Sequence, residues 1–253
     1  MDNGYYRPLR PGAQIAVSAF LNFGTAYGTI GCFVQPLLNW GNNSEHVKVL
    51  TPHPCILTSY HVLKTDKIKL IDDYVHQPVP IGFDRVVASY YVGEWDIALC
   101  VLDDRAYAQQ GPSNNILGDI GYITGIADLS EGIPGQTPLR KYGRSTGFTK
   151  GHYESDLECL GQTMKTTCFR VVTDGGENFC EEGDSGAALV NAKNQLVGIL
   201  QGEMREPNQP FLIGIGIRAD YVFARLTALV IAKEDPNYPI ESYPNKKYSV
   251  RLL

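Results

Sequence analysis

The stretch that decides the fold reads Glu181-Glu182-Gly183-Asp184-Ser185-Gly186-Ala187-Ala188-Leu189-Val190, and Gln195-Leu196-Val197-Gly198-Ile199-Leu200 follows it. A serine in a tight Gly-Asp-Ser-Gly turn before an apolar strand can project its hydroxyl while neighbouring backbone amides converge on one point. Such amides can stabilise a tetrahedral oxyanion, which is worth roughly a few kcal/mol per donor. Glycine is needed because a Cβ would obstruct the turn and the approach of a substrate carbonyl. The alternative is an ordinary β-turn, for which these four residues are equally suitable.

Two further segments supply a base and a carboxylate. The first, Cys55-Ile56-Leu57-Thr58-Ser59-Tyr60-His61, places its histidine just past the end of an apolar strand, where an imidazole can be fixed near solvent. The second, Glu94-Trp95-Asp96-Ile97-Ala98-Leu99, sets its aspartate at the start of a buried strand, where a carboxylate can orient an imidazole. A lone histidine or aspartate in such a place is more often structural.

The pattern along the chain predicts a β protein. Short segments rich in Val, Ile, Tyr and Thr form one group before the turn-rich stretch 103–118 and a second group after it. Two groups of strands with a linker predict two barrels or a long sandwich. A helix is predicted over 220–232, where apolar residues recur at intervals of three and four, and the prolines beyond residue 233 end it. The residues of this apolar stripe are Val222, Phe223, Leu226, Leu229, Val230 and Ile231.

Composition excludes several classes of function. The 253-residue chain has a formal net charge of −5, and its lysines and arginines form no run, so binding to nucleic acid or to an anionic membrane surface is not expected. The histidines lack metal-ligand spacing, so neither a metal nor a cofactor is predicted. No apolar stretch is long enough to span a bilayer. Residues 1–24 contain no adequate apolar core for a signal peptide, which predicts a cytoplasmic protein rather than a secreted one.

Six cysteines stand at positions 32, 55, 100, 159, 168 and 180 and form no C-x-x-C pair. Buried free thiols are therefore expected. A disulfide between Cys159 and Cys168, which flank a predicted hairpin, remains open for an oxidising compartment.

Taken in order, Leu57-Thr58-Ser59-Tyr60-His61, Asp96-Ile97-Ala98-Leu99 and Gly183-Asp184-Ser185-Gly186 resemble the signature of the chymotrypsin-like serine proteases. The resemblance runs from about residue 28 to about residue 232. It implies an all-β fold of two packed antiparallel six-stranded Greek-key barrels with a C-terminal α-helix. The expected division is an N-terminal segment 1–24, a first barrel 25–110, a second barrel 111–218, a helix 219–233 and a tail 234–253.

The resemblance also implies roles for individual residues. His61 would be the general base, Asp96 its orienting partner and Ser185 the nucleophile. The backbone amides of Gly183 and Ser185 would form the oxyanion hole.

A fourth segment, Gly143-Arg144-Ser145-Thr146-Gly147, is similar to the Gly-Arg-Thr-Thr-Gly hairpin of the bacterial, alpha-lytic-like members. No Ile-Val-Gly start, the sequence that follows activation cleavage in animal relatives, is visible. The resemblance therefore implies that Arg144 pairs with Asp184 and holds the oxyanion loop in its active shape without N-terminal cleavage. The alternative is that Arg144 is a solvated hairpin residue.

The resemblance assigns three residues to the substrate pocket. Phe179 matches a position that often forms the floor of the primary pocket, and it favours an apolar or aromatic residue before the scissile bond. Gln201 stands where many relatives have a serine that supports the catalytic aspartate, and Glu203 where a glycine is usual. Glutamates 181, 182 and 203 would favour a basic substrate instead. Of these two alternatives, the apolar or aromatic residue is the slightly favoured expectation.

The main hypothesis is a serine endopeptidase that hydrolyses peptide bonds in protein or peptide substrates through an acyl-enzyme at Ser185. One rival is a catalytically silent, protease-like binding or scaffold domain whose cleft is blocked by Gln201 and Glu203. A third possibility is a protease kept silent until a regulatory partner releases it, with residues 1–25 or 235–253 covering the cleft.

Overall fold

The computed structural model describes residues 9–17, 26–40, 47–51, 53–63, 75–79, 82–85, 87–92, 96–102, 104, 115–130, 132–157, 168–207, 210–234 and 246–253. The strands of its N-terminal half are β1 Gln14–Val17, β2 Ala26–Thr29, β3 Cys32–Trp40, β4 Val47–Val49, β5 Cys55–Ser59, β6 Val75–Val79, β7 Gly82–Arg85, β8 Val87–Val92 and β9 Ile97–Leu102. A short 3₁₀ helix, Tyr60–Val62, follows β5 directly.

The C-terminal half begins with short elements and continues as longer strands. These are β10 Ile116–Leu117, a 3₁₀ helix Gly118–Ile120, β11 Gly121–Tyr122, β12 Gly125–Ile126, β13 Pro138–Gly143, β14 Gly147–Leu157, β15 Cys168–Thr173, β16 Ala188–Val190, β17 Gln195–Met204, β18 Ile213–Arg218, α1 Ala219–Glu234 and β19 Lys246–Leu252.

The C-terminal half contains a closed six-stranded barrel. Strands β17, β16, β13, β14, β15 and β18 pair in that order, and β18 pairs back onto β17. All of these pairings are antiparallel, while β12 adds to β17 in parallel. Inward residues such as Phe169, Val171 and Leu189 are buried completely and form the barrel core. This closed barrel, called the C-terminal barrel below, confirms the predicted β architecture.

The N-terminal half forms two sheets, one with the order β2-β1-β6-β7 and one with the order β19-β3-β5-β9-β8. The second sheet is covered on both faces, which explains why β9 is an unbroken apolar run. Alternate residues Ile97, Leu99 and Val101 of β9 face a core shared with α1 and the C-terminal barrel. Ala98, Cys100 and Leu102 face the other core.

The N-terminal segment belongs to that other core. Leu9, Ala13 and Ile15 are buried there against Val62 and Leu63, immediately beside the histidine that follows β5. Residues 9–15 therefore belong to the core of the N-terminal half, and covering of the cleft by residues 1–25 or 235–253 stays a prediction.

The helix α1 was predicted over 220–232, and the structure confirms it with slightly wider bounds, Ala219–Glu234. Its apolar residues Val222, Phe223, Leu226 and Val230 are buried against the shared core, as an amphipathic helix requires. Two further residues of the predicted stripe, 229 and 231, lie in this helix, but their side chains are not among those that the structure describes.

The segment predicted as a tail, 234–253, ends in a strand. Strand β19 pairs with β3 along its whole length, from Lys246 opposite Trp40 to Leu252 opposite Val34. The alternation of Tyr, Val and Leu with polar residues in this strand is the signal for it, and the sequence interpretation missed that signal. The end of the chain is thus part of the N-terminal sheet, and the boundaries assigned to the two halves stay predictions.

Asn115 fastens this last strand to the sheet. It is 1% exposed; its Oδ1 accepts the Phe33 amide at 2.6 Å and its Nδ2 donates to the Leu253 carbonyl at 2.5 Å. In Asn115→Ala we expect the free energy of unfolding to fall by about 1–3 kcal/mol, because the buried Phe33 N–H loses its acceptor. Urea unfolding measures this loss, and the surface variant Thr124→Ala serves as a control within about 0.5 kcal/mol of the parent. Equal stabilities of Asn115→Ala and Thr124→Ala would contradict the prediction.

Within the described ranges, the structure contains no helix with the length and apolar character that crossing a membrane requires.

Candidate active site

Strands β5 and β9 bring the predicted histidine and aspartate together. The two strands are antiparallel with Ser59 opposite Ile97, so the 3₁₀ helix that follows β5 and carries His61 lies at the same end of the strand pair as the residue before β9. The Asp96 carboxylate accepts the His61 amide through Oδ1 at 2.7 Å and contacts His61 Nδ1 through Oδ2 at 2.7 Å. Since a carboxylate only accepts, Nδ1 carries the proton and Nε2 is left as the acceptor nitrogen.

Asp96 adopts an uncommon backbone conformation. Its φ is +58°, in the left-handed region that few non-glycine residues occupy. The backbone is held there because the Asp96 carbonyl accepts the Tyr60 amide at 2.9 Å and the carboxylate binds His61 twice. Such strain, held by surrounding hydrogen bonds, is typical of functional sites.

Gln201 connects this pair to the predicted nucleophile. Its side-chain amide lies against the Asp96 carboxylate, and because a carboxylate only accepts, the amide nitrogen faces it, 2.5 Å from Oδ2 and 3.1 Å from the Asp96 carbonyl oxygen. The Gln201 backbone carbonyl accepts the Ser185 hydroxyl at 3.0 Å. The resemblance grouped Gln201 with the substrate pocket, at the position where many relatives have a serine that supports the catalytic aspartate. In the structure its amide contacts Asp96 and its carbonyl accepts the Ser185 hydroxyl. Within the described ranges, no hydrogen bond joins His61 to Ser185.

The loop that carries Ser185 is clamped between the two halves of the molecule. The Ser185 carbonyl accepts the Thr29 amide at 2.8 Å, and the Gly186 amide donates to the Leu200 carbonyl at 2.7 Å. Gly186 has φ +93°, and a Cβ there would lie 2.2 Å from Thr58 Oγ1, so only glycine fits. These contacts fix the Ser185 loop against β2, β5 and β17.

Two backbone amides of this loop are available to a ligand. Gly183 and Ser185 are buried, and among the described residues neither N–H group has a hydrogen-bond acceptor. The amide between them, that of Asp184, is used internally and donates to the Glu181 carbonyl at 3.0 Å. Buried N–H groups are nearly always paired, so two unpaired ones in one loop indicate an anion site.

The Asp184 carboxylate is the buried anchor of the same loop, and its cation is Lys141. Both side chains are 0% exposed, and Lys141 Nζ lies 2.9 Å from Asp184 Oδ2. Thr146 Oγ1 donates to the same oxygen at 2.6 Å, and the amides of Ser145 and Thr146 donate to Oδ1 at 2.7 and 3.3 Å. A buried charge pair of this kind needs such additional hydrogen bonds to be tolerated.

The predicted Arg144–Asp184 pair is therefore wrong. Arg144 is exposed in the turn, where its guanidinium lies 4.5 Å from the centre of the Tyr27 ring and donates to Ser145 Oγ at 3.3 Å. The reason is strand alternation: on β13 the inward positions are Leu139, Lys141 and residue 143, while the arginine comes after the strand has ended. The Lys141–Asp184 pair could have been predicted from the sequence, because Lys141 occupies an inward position of β13.

The remaining two predicted pocket residues differ in burial. Phe179 exposes none of its surface and packs under Gly214, so it does not line an open pocket floor as expected. Glu203 is exposed on β17. Burial raises the pKa of the adjacent Cys180 thiol to about 12; the Lys141 ammonium opposes this shift, while carboxylates including that of Glu203 add to it.

No group of three or more His, Cys, Asp or Glu side chains that could hold a metal ion occurs among the residues that the structure describes. Of the two cysteines whose disulfide was left open, Cys159 lies outside the described residues.

Solved structures resemble the fold of this chain. Protease A of Thermobifida fusca matches with 16% identity and a TM-score of 0.51, covering 85% of this chain and 94% of that protein. A Nocardiopsis protease matches with 14% identity and a TM-score of 0.51, covering 96% of this chain and 97% of its own. A serine protease specific for glutamic acid matches with 13% identity and a TM-score of 0.54, covering 86% and 97%. These likenesses confirm the double-barrel fold.

Comparison with curated proteins gave no match. The sequence model of the trypsin family, in contrast, matches residues 48–225, which is well over half of the chain. That span includes the histidine after β5, the aspartate before β9 and the Gly-Asp-Ser-Gly loop. The chain therefore belongs to the trypsin family of chymotrypsin-fold serine proteases.

Proposed function

We propose that this protein is a serine endopeptidase that hydrolyses peptide bonds in protein substrates, with Ser185 as nucleophile, His61 as general base and Asp96 as the residue that orients the base. The observation that carries the proposal is the 2.7 Å contact between His61 Nδ1 and Asp96 Oδ2. It leaves Nε2 as the proton acceptor that the Ser185 hydroxyl requires.

The chemistry requires one change in hydrogen bonding. The Ser185 proton, now donated to the Gln201 carbonyl, must turn to His61 Nε2. Ser185 Oγ then bonds to the substrate carbonyl carbon, His61 takes the proton, and the carbonyl oxygen becomes an oxyanion held by the amides of Gly183 and Ser185.

The acyl-enzyme forms and breaks by the same proton path. When the tetrahedral intermediate collapses, the C–N bond breaks and His61 gives its proton to the leaving amine. Water then adds to the acyl carbon with His61 as base, and Ser185 leaves with the proton returned to its oxygen. The Asp96 carboxylate stabilises the imidazolium at each stage.

We further propose that the loop is held ready without N-terminal cleavage, as the alpha-lytic-like hairpin suggests. The cation in that role is Lys141, because it is the one that reaches Asp184 in the buried site. An ammonium on Asp184 that comes from inside the chain leaves no need for a newly cut N-terminal amine.

Specificity follows from charge in this proposal. An apolar preference rested on Phe179, which exposes no surface. The carboxylates of Glu181, Glu182 and Glu203 are exposed, and they favour a basic substrate residue.

A silent, protease-like binding domain is the second candidate. The observation that favours it is the Ser185 hydroxyl, which donates to the Gln201 carbonyl instead of to His61. Release by a regulatory partner, and the intracellular setting in which that would occur, stay predictions.

A fluorophosphonate probe separates the two candidates. We expect the parent to be labelled and the label to vanish in Ser185→Ala, because the probe reacts with an activated serine oxygen. Intact mass spectrometry detects the adduct, and cleavage of an unfolded protein substrate checks peptidase activity in parallel. A folded parent that neither reacts with the probe nor cleaves substrate would favour the binding domain.

A further inference from the structure

We propose that Ser145 is a positioning residue of the oxyanion hole: its hydroxyl holds the Glu182 carbonyl so that the Gly183 amide faces the substrate. This inference rests on the proposed function. In this inference the exposed turn of the β13–β14 hairpin orients the Gly183 amide, in addition to its contacts with the Asp184 carboxylate.

A chain of two hydrogen bonds defines what the Ser145 hydroxyl does. Arg144 Nη1 lies 3.3 Å from Ser145 Oγ, and Ser145 Oγ lies 2.5 Å from the Glu182 carbonyl oxygen. A guanidinium has only donors and a carbonyl only accepts. The serine therefore accepts from Arg144, and its own proton goes to Glu182.

The geometry of the peptide bond carries this contact to the next residue. In a trans peptide the C=O and the following N–H point in opposite directions. With the Glu182 carbonyl turned to Ser145, the Gly183 N–H points to the opposite side. On the other flank of Gly183, its own carbonyl accepts Thr29 Oγ1 at 2.9 Å. Both peptide planes around the Gly183 Cα are thus held.

The hydrogen bond from Ser145 is needed because the residue between the two peptide planes is a glycine. Gly183 has φ +98°, and glycine adopts positive and negative φ with similar ease. Without the Ser145 contact, the Glu182–Gly183 peptide can turn over and place a carbonyl oxygen where an N–H donor is required. The contact is also close: a Cβ on Gly183 would lie 2.6 Å from Ser145 Oγ and 3.0 Å from Arg144 Nη1.

The variant Ser145→Ala tests the inference with little risk to the fold. Ser145 is exposed, and alanine keeps the backbone amide that donates to Asp184 Oδ1. We expect kcat to fall roughly 10- to 100-fold with KM within about twofold, because a misplaced donor weakens binding of the oxyanion more than binding of the substrate. Affinity for a peptidyl trifluoromethyl ketone, which forms a tetrahedral oxyanion on Ser185, should fall by the same factor as kcat.

Two further variants sharpen the test. Ser145→Thr keeps the hydroxyl and should restore kcat to within about threefold of the parent. Ser130→Ala is the matched control, because it also removes an exposed hydroxyl that makes a 2.5 Å hydrogen bond, in this case to Asp128, and it should leave kcat unchanged.

The outcomes are distinguishable. If the parent is active and Ser145→Ala retains the parent's kcat and ketone affinity, the inference is wrong while the proposed function stands. If Ser145→Ala loses affinity for substrate and ketone equally, the hydroxyl acts on substrate binding and the inference is also wrong. If the parent neither cleaves peptides nor reacts with the fluorophosphonate, the proposed function fails and the inference fails with it.

Discussion

Asp96→Asn will lower kcat for peptide hydrolysis by about 10⁴-fold, with a much smaller change in KM. The reason is the tautomer of His61. The Asp96 carboxylate can only accept at 2.7 Å from His61 Nδ1, so Nε2 is free to take the Ser185 proton. An asparagine amide in the same place donates to Nδ1 and moves the ring proton to Nε2, which can then no longer act as a base.

Steady-state kinetics with a chromogenic peptide measures this effect. The chain offers a matched control in Asp174→Asn, because His152 Nδ1 and Asp174 Oδ1 form a second exposed His–Asp pair, 2.6 Å apart, on the C-terminal barrel. We expect the control to retain full kcat and both variants to unfold at similar urea concentrations. A kcat for Asp96→Asn within tenfold of the parent would exclude Asp96 from the proposed role.

Lys141→Met will lower the free energy of unfolding by about 3–5 kcal/mol, because it leaves the Asp184 carboxylate buried without its cation. Neither side chain is exposed, so water cannot replace the lost ammonium. The same variant should lose most of its kcat, since Asp184 lies between Gly183 and Ser185 and its buried carboxylate holds their amides in place.

Arg144→Met is the matched control for charge, because it removes a cation three residues further along the same hairpin. Its guanidinium is exposed and contacts the Tyr27 ring, so the expected loss of stability is below about 1 kcal/mol. If Lys141→Met fails to fold, the double variant Lys141→Met with Asp184→Asn removes both charges and should fold with most of the stability restored. Equal losses in Lys141→Met and Arg144→Met would contradict the assignment of Lys141.

Comparing the stability and the kcat of these variants also distinguishes two roles for the β13–β14 hairpin. If the hairpin served only to stabilise the barrel, Ser145→Ala and Lys141→Met would differ in stability but neither would change the ratio of kcat to KM. A lock on the oxyanion loop predicts that both lower kcat, and that only the lysine variant is strongly destabilised.

The amino-acid sequence by itself determined the β architecture, the helix α1 and the family. Those features depend on local alternation, on apolar spacing and on the three ordered segments around His61, Asp96 and Ser185, all of which can be seen along the chain. The antiparallel register of β5 and β9 then brings the first two of these residues together at one end of the strand pair.

Only the tertiary structure decided which residues surround those three. Whether Asp184 meets Lys141 or Arg144 depends on which side chain points into the barrel, and the two differ by three positions at the end of one strand. The resemblance placed Gln201 where relatives support the catalytic aspartate, but the contacts of its amide with Asp96 and of its carbonyl with Ser185 depend on packing between distant segments. Linear spacing does not encode these choices, because burial and strand orientation are set by the packing of the whole chain.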